Sequence, residues 1–296
     1  MTRFKNNKKD FAHILIKTEE RWLNILYQAI KSEFIKHPLP SHDHTHHYRV
    51  WFFAKELLRA LSDGGYAIDR SLIEKSIISA FFHDAGMTIT LKPSHGIESR
   101  LICERYLHEM EGLNLSYIDE ILDAIELHDD KRYTQKLQGI NAYTILAVAD
   151  DLDAYGAIGV YRYYEIYLLR GMKKEEIPLK AIDNIEKRFS FMERIFGSLQ
   201  DLIKKHESRK QVTIDYFNQF IEKDPTVDTA LMAPDMEFLD WLLKKAYQFN
   251  CGLDFLLEVD TNDMRLKKNS RSFVKNVAEE LNGFHGALNK VSRNDC

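Results

Sequence analysis

The stretch Thr144-Ile145-Leu146-Ala147-Val148-Ala149 decides whether this chain is purely helical or mixed. Its Thr, Ile and Val residues have the propensity of a buried strand. The apolar pattern continues through Leu152, however, and its neighbours carry helical spacing, so the run reads as helix. Upstream, Trp22, Ile25, Leu26, Ala29 and Ile30 recur at the three-and-four spacing of one helical face. Pro38 and Pro40 end that helix, and Ser41, Asp43 or Thr45 can cap the next. Val50, Phe53, Ala54, Leu57, Leu58 and Leu61 give a second face, closed by Asp63-Gly64-Gly65. A third helix runs through Ile73, Ile77, Ala80 and Phe81 toward a stop at Gly86. Others centre on Leu101 and on Ile121, Leu122 and Ile125.

Composition agrees. The 296 residues include only 13 Gly and 6 Pro, too few for the tight turns of a sandwich or barrel. With 45% hydrophobic and 29% charged residues the chain is an ordinary globular protein, which excludes disorder throughout. A net charge of −4 gives no general case for nucleic acid. Cys103, Cys251 and Cys296 form no CxxC pair, so neither a disulfide framework nor a thiolate zinc site is expected. They read as idle thiols of a reducing cytoplasm. No apolar secretory segment follows the N-terminus, and no run reaches the roughly 20 residues of a membrane helix. The expectation is a cytoplasmic protein without membrane contact.

Chemistry concentrates in an ordered set: His46, His83-Asp84, His95, His128 and Asp150. Most members fall at apolar helix faces, where imidazole and carboxylate are expensive unless paired. A cation satisfies several such groups at once, and this mixture suits Fe, Mn, Zn or Ni. His42, His44 and His47 around His46 read as capping or solvent-exposed residues, and His108 as exposed. His13, His37, His206 and His285 stand alone as structural or surface residues, and Tyr161, Tyr163, Tyr164 and Tyr167 read as core.

The order and context resemble the HD superfamily of metal-dependent phosphohydrolases. His46 followed by Arg49-Val50 is similar to the family's first-helix motif, and His83-Asp84-Ala85-Gly86 to the dyad that names it. Ala149-Asp150-Asp151-Leu152 is similar to its closing element, and the resemblance covers roughly residues 38 to 165. It implies an all-α helical bundle in which His46, His83, Asp84 and Asp150 hold one ion. The dinuclear branch carries two further histidines, here His95 and His128, and Asp84 would bridge to the second ion. The mononuclear alternative leaves those two as phosphate-contacting or structural residues. Departures are specific: no acidic residue stands among Ala85, Gly86, Met87 and Thr88, against an alarmone hydrolase or a simple nucleotidase of that type, and no GYP triplet follows the dyad, against a cyclic-di-GMP phosphodiesterase.

The expected division is an N-terminal helix (1–37), an HD metal-binding domain (38–171) and a helical C-terminal extension (172–296). That extension is amphipathic, interrupted at Pro178, Asp224-Pro225 and Pro234, and offers a surface for homo-oligomers. The expected reaction is hydrolysis of a phosphate ester or anhydride, most plausibly in a nucleotide, by a metal-activated hydroxide. Cations that would meet the phosphoryl group are Arg49, Lys92, Lys131 and Arg132, each individually more often a surface charge, with Arg162 more remote. Asp129, Asp151 and Asp153 remain open as the general acid. A diiron oxygenase on the same donors, and a non-catalytic sensor, are the rival readings.

Overall fold

Thr144–Ala149 lies inside a helix, and no strand occurs among the described residues. The computed structural model describes residues 2–110, 113, 115–130, 139–222, 234–248, 253–258 and 267–288, with side chains between 10 and 284. In order the helices are α1 (Thr2–Lys36), α2 (His44–Asp63), α3 (Arg70–Phe82), α4 (His95–Glu109), α5 (Ile118–Leu127) and α6 (Ala142–Asp153). They continue as α7 (Ala157–Leu169), α8 (Ile177–Phe196), α9 (Gln200–Glu222), α10 (Met236–Ala246) and α11 (Lys268–Leu288). A short 3-10 turn, Ala85–Thr88, separates α3 from α4. None of the helices, among the described residues, is long and apolar enough to cross a membrane.

The chain divides into two compact units that interleave in sequence. One comprises Met1–His37, Asp43–Leu152 and Phe191–Ile203; the other comprises Pro38–His42, Asp153–Ser190 and Lys204–Cys296. The sequence reading instead divides the chain linearly, at 37 and 171.

In the first unit α1 and α2 pack on α3, and α4 and α5 pack on each other. Fully buried Trp22, Leu26 and Ile30 of α1 and Val50, Trp51, Ala54, Leu57 and Leu58 of α2 fill its core. Ile25 is exposed, which corrects the expected α1 face, and Leu101 of α4 is exposed as well. The buried stripe there runs through Trp22, Leu26, Tyr27, Ile30 and Phe34. One buried carboxylate ties three segments: Glu74 of α3 accepts from Arg21 Nη1 (3.0 Å) and Trp22 Nε1 (3.2 Å) of α1 and from the Tyr117 hydroxyl ahead of α5. Arg70 adds a bond at 3.2 Å.

In the second unit α7 packs against α10 and α11, and the tyrosines at 161, 163, 164 and 167 are buried, as expected of core. Pro178 does not separate helices; it sits in the first turn of α8, where its missing N–H costs nothing. Pro234 does precede α10, whereas Asp224-Pro225 lies outside the described residues. The start of α7 is capped from far away. Glu280 of α11, half-buried, accepts the N–H groups of Ala157 (2.6 Å) and Ile158 (3.3 Å).

Burial alone would raise the Glu74 carboxyl, but hydrogen bonds from Tyr117 and Trp22 and the Arg70 and Arg21 guanidiniums hold it below its ordinary value. A depressed carboxyl stabilises the fold above its unfolded pKa of about 4.3, and that contribution fades as pH falls through the folded value. Glu74→Gln is expected to cost about 1–3 kcal/mol at pH 7, read from the urea midpoint. Its stability should also fall less steeply than the wild type's below pH 4.5. An unchanged acid limb would show that Glu74 is not the group responsible.

Candidate metal centre

The six ordered His and Asp residues come together inside the first unit, all of them buried. Helix ends do the positioning. His83 directly follows α3 and His128 directly follows α5, where terminal carbonyls lack helical N–H partners. Each ring takes such a carbonyl three residues back: His83 Nδ1 to Ala80 O at 2.9 Å, His128 Nδ1 to Ile125 O at 2.7 Å. His95 opens α4 and contacts the Lys92 carbonyl through Nδ1 at 2.9 Å. All three imidazoles thus present Nε2 to the interior. His46 lies in the first turn of α2 and Asp150 near the end of α6.

Two glycines let these ends approach. A Cβ on Gly86 would lie 2.2 Å from the His95 carbonyl oxygen, and one on Gly96 would lie 2.4 Å from the Glu126 oxygen. The turn after Asp84 is pressed against the start of α4, and α4 against the end of α5. Gly86 therefore does not stop α3, which ends at Phe82; it serves close approach instead.

The donors form two sets sharing Asp84. In the first, His46 Nε2 and His83 Nε2 are 3.1 Å apart and lie 3.4 and 3.3 Å from Asp84 Oδ2. Asp150 Oδ1 stands 3.7 and 3.8 Å from the two rings. In the second, His95 Nε2 and His128 Nε2 are 3.3 Å apart and each 3.1 Å from Asp84 Oδ1. Metal–donor bonds of about 2.0–2.2 Å place neighbouring donors about 3.0–3.4 Å apart, so most of these spacings match a shared cation. Asp150 alone would have to move inward.

Electrostatics make the same demand. Burial disfavours a charged His83, yet Asp84 and Asp150 outweigh it and push its pKa up to about 10. Burial works against an ionised Asp84 too, but His83 and hydrogen bonds from His128, His46 and His83 hold its pKa well below the ordinary value. For His95 burial is outweighed by Asp84, which raises its pKa. His128 goes the other way: burial, reinforced by His83 and His95, lowers it. A neutral His128 has one N–H for two acceptors, Ile125 O and Asp84 Oδ1. Whichever nitrogen bears the proton, one contact sets acceptor against acceptor, and a cation at Nε2 removes the conflict. The residues present fit a metal ion.

No protein-family model matches the chain, and no match was found among curated proteins or solved structures. The site therefore rests on its own residues.

The remaining sequence candidates scatter. Arg49 is buried rather than at the surface and donates to Thr45 Oγ1 at 3.1 Å. Lys92 is exposed, and its carbonyl holds His95. Lys131 and Arg132 lie outside the described residues. Asp151 is fully buried on α6, and Asp129 is half-buried, its charge acting on His95. Asp153 belongs to the second unit, in a buried ion pair with Arg162 at 3.3 Å. His13, His37 and His108 are exposed as expected, His206 is buried beside Arg209, and the His285 side chain is outside the described residues.

His42, His44 and His47 are all buried, contrary to expectation. His42 Nδ1 meets Ser41 Oγ at 2.6 Å, and His44 packs edge-on to Tyr27. His47 is wedged against Phe34, His46 and His83; among the described residues its ring nitrogens make no hydrogen bond of good geometry, and the Phe81 carbonyl is the backbone group that acts on the ring. Burial, then the His83 and His46 charges, lower its pKa well below the ordinary value. Alternating histidines gave no signal of this, because burial of one ring depends on Phe34 from another helix. Unsatisfied buried polar atoms cost about 1–3 kcal/mol. His47→Phe should therefore raise the denaturant midpoint, or at worst leave it unchanged, while His47→Ala lowers it by opening a cavity. A clear loss in the Phe variant would mean that the imidazole nitrogens are engaged.

Proposed function

We propose that this chain is a metal-dependent phosphohydrolase of the HD type, acting on a phosphate ester or anhydride, with a nucleotide as its substrate class. One observation carries the reading: Asp84 turns Oδ2 to the His46/His83 pair and Oδ1 to the His95/His128 pair. Two donor sets joined by one carboxylate suit a pair of ions, and the residues stand in the chain order of the dinuclear branch that the sequence resembles.

When bound, two divalent ions supply Lewis acidity toward phosphoryl oxygens and make an attacking hydroxide available near neutral pH. The chain's own residues do the rest. His46, His83, His95 and His128 act as neutral nitrogen donors, each oriented by its place at a helix end. Asp84 and Asp150 supply the negative charge that offsets the cations, inside walls that exclude water. Asp129 is the carboxyl placed to give a proton to a leaving group, since it is half-buried beside His95. Asp151 is sequestered, and Asp153 is held by Arg162. Lys92, exposed beside His95, supplies a cation for the substrate's phosphates.

Metal analysis and a phosphate-release screen test this reading. The wild type should retain up to two equivalents of Fe, Mn, Zn or Ni and release phosphate from at least one nucleotide. Asp84→Ala should retain neither ion and hydrolyse nothing above the protein-free rate. His95→Ala should keep one equivalent and most of its thermal stability. Metal retention without turnover across a broad panel would favour a sensor. Iron-specific oxygen consumption would favour the diiron oxygenase.

A further inference from the structure

Of the proposed donors in the first set, His46 is the one held in the first turn of a helix. It is the third residue of α2, in the turn where helix N–H groups lack helical partners and ends fray. Around it lies a buried chain of polar groups. Asp43 Oδ1 accepts from Thr45 N at 2.9 Å, from His46 N at 3.3 Å and from Thr45 Oγ1 at 2.6 Å. The same Thr45 oxygen accepts from Arg49 Nη1, one turn along, at 3.1 Å. Asp43, Thr45 and Arg49 are 5%, 5% and 2% exposed, so this is an interior network, not a surface cap. The other Asp43 oxygen lies 3.7 Å from His44 Nδ1.

Burying a guanidinium and a carboxylate costs several kcal/mol unless they are well paired. Here a threonine hydroxyl bridges them, donating to Asp43 while accepting from Arg49. Through Asp43 these bonds bear on two amides, one of which belongs to His46. A cation-binding turn gains from this because outer partners set the orientation of donor rings.

We propose that Thr45 and Arg49 are positioning residues that hold His46 in the first donor set through Asp43. Arg49 then serves the site from behind His46 and does not meet the substrate. This rests on the reading of His46 as a metal ligand. It makes a selective statement: the His46/His83/Asp84/Asp150 set depends on the network, and the Asp84/His95/His128 set does not.

Thr45→Val is the sharp test, since it keeps volume and charge while removing both bonds of the bridge. Metal content after gel filtration, and hydrogen exchange of the segment 43–50 in metal-free protein, are the readouts. The variant should hold one of its two ions about 10–100-fold more weakly, with faster exchange in 43–50, and Thr45→Ser should restore both. Arg49→Met leaves the Asp43 cap in place and carries the same expectation, which covers the case of a misfolded Thr45→Val. Wild-type ion retention in both variants overturns the proposal, as does equal weakening of both ions or failure of serine to rescue. If the wild type itself retains no ion, the metal reading falls. The exchange of 43–50 then decides alone, and unchanged exchange overturns the proposal.

Discussion

Asp84 sets the terms for everything around it. Its two oxygens face opposite pairs of imidazoles at 3.1 to 3.4 Å, in a space from which water is excluded. Such crowding is tolerable when positive charge, a proton on an imidazole or a cation, lies among the donors. The positions of α3, α4 and α5 follow from this requirement. Each delivers its histidine from a terminus, because there a ring nitrogen can use a spare backbone carbonyl without breaking a helical bond. Gly86 and Gly96 then remove the two side chains that would keep those termini apart.

Buried polarity is concentrated at the same place. His47 buries an imidazole that gains nothing visible from its nitrogens, and the four proposed donor rings sit edge to face with one another at centroid distances near 5 Å. Away from this cluster the first unit is conventional, with aliphatic and aromatic side chains around Trp22 and Trp51 and carboxylates, Glu74 and Glu19, that accept from cations and indoles of neighbouring segments. In that division an ordinary core keeps a costly constellation in register.

The constellation was legible because its members are rare residue types in a fixed order, each beside an apolar helical run. The helix through Thr144–Ala149 was legible because its pattern outlasted its β-branched residues. What escaped was whatever depends on long-range pairing. Tyr117 and Arg21 reach Glu74 across 43 and 53 positions, and nothing local to Glu74 marks it as a hub. Arg49 and the histidines at 42, 44 and 47 read as surface groups from their polarity, yet partners such as Thr45, Tyr27 and Phe34 allow them to be buried. Pro178 reads as a separator by habit, although proline suits a first helical turn equally well. Periodicity likewise put Ile25 in the α1 stripe, while packing chose Tyr27 instead.

The cap on α7 has a temporal side. Glu280 meets the Ala157 amide across 123 residues, so the first turn of α7 stays incomplete until Glu280 has been made. At about 5–20 residues per second, that interval is roughly 6–25 s of synthesis. During it, Tyr161 and its neighbours are made without α11 to cover them. A nascent chain in this state is open to chaperones and proteases, and the cap on α7 closes only when α11 arrives.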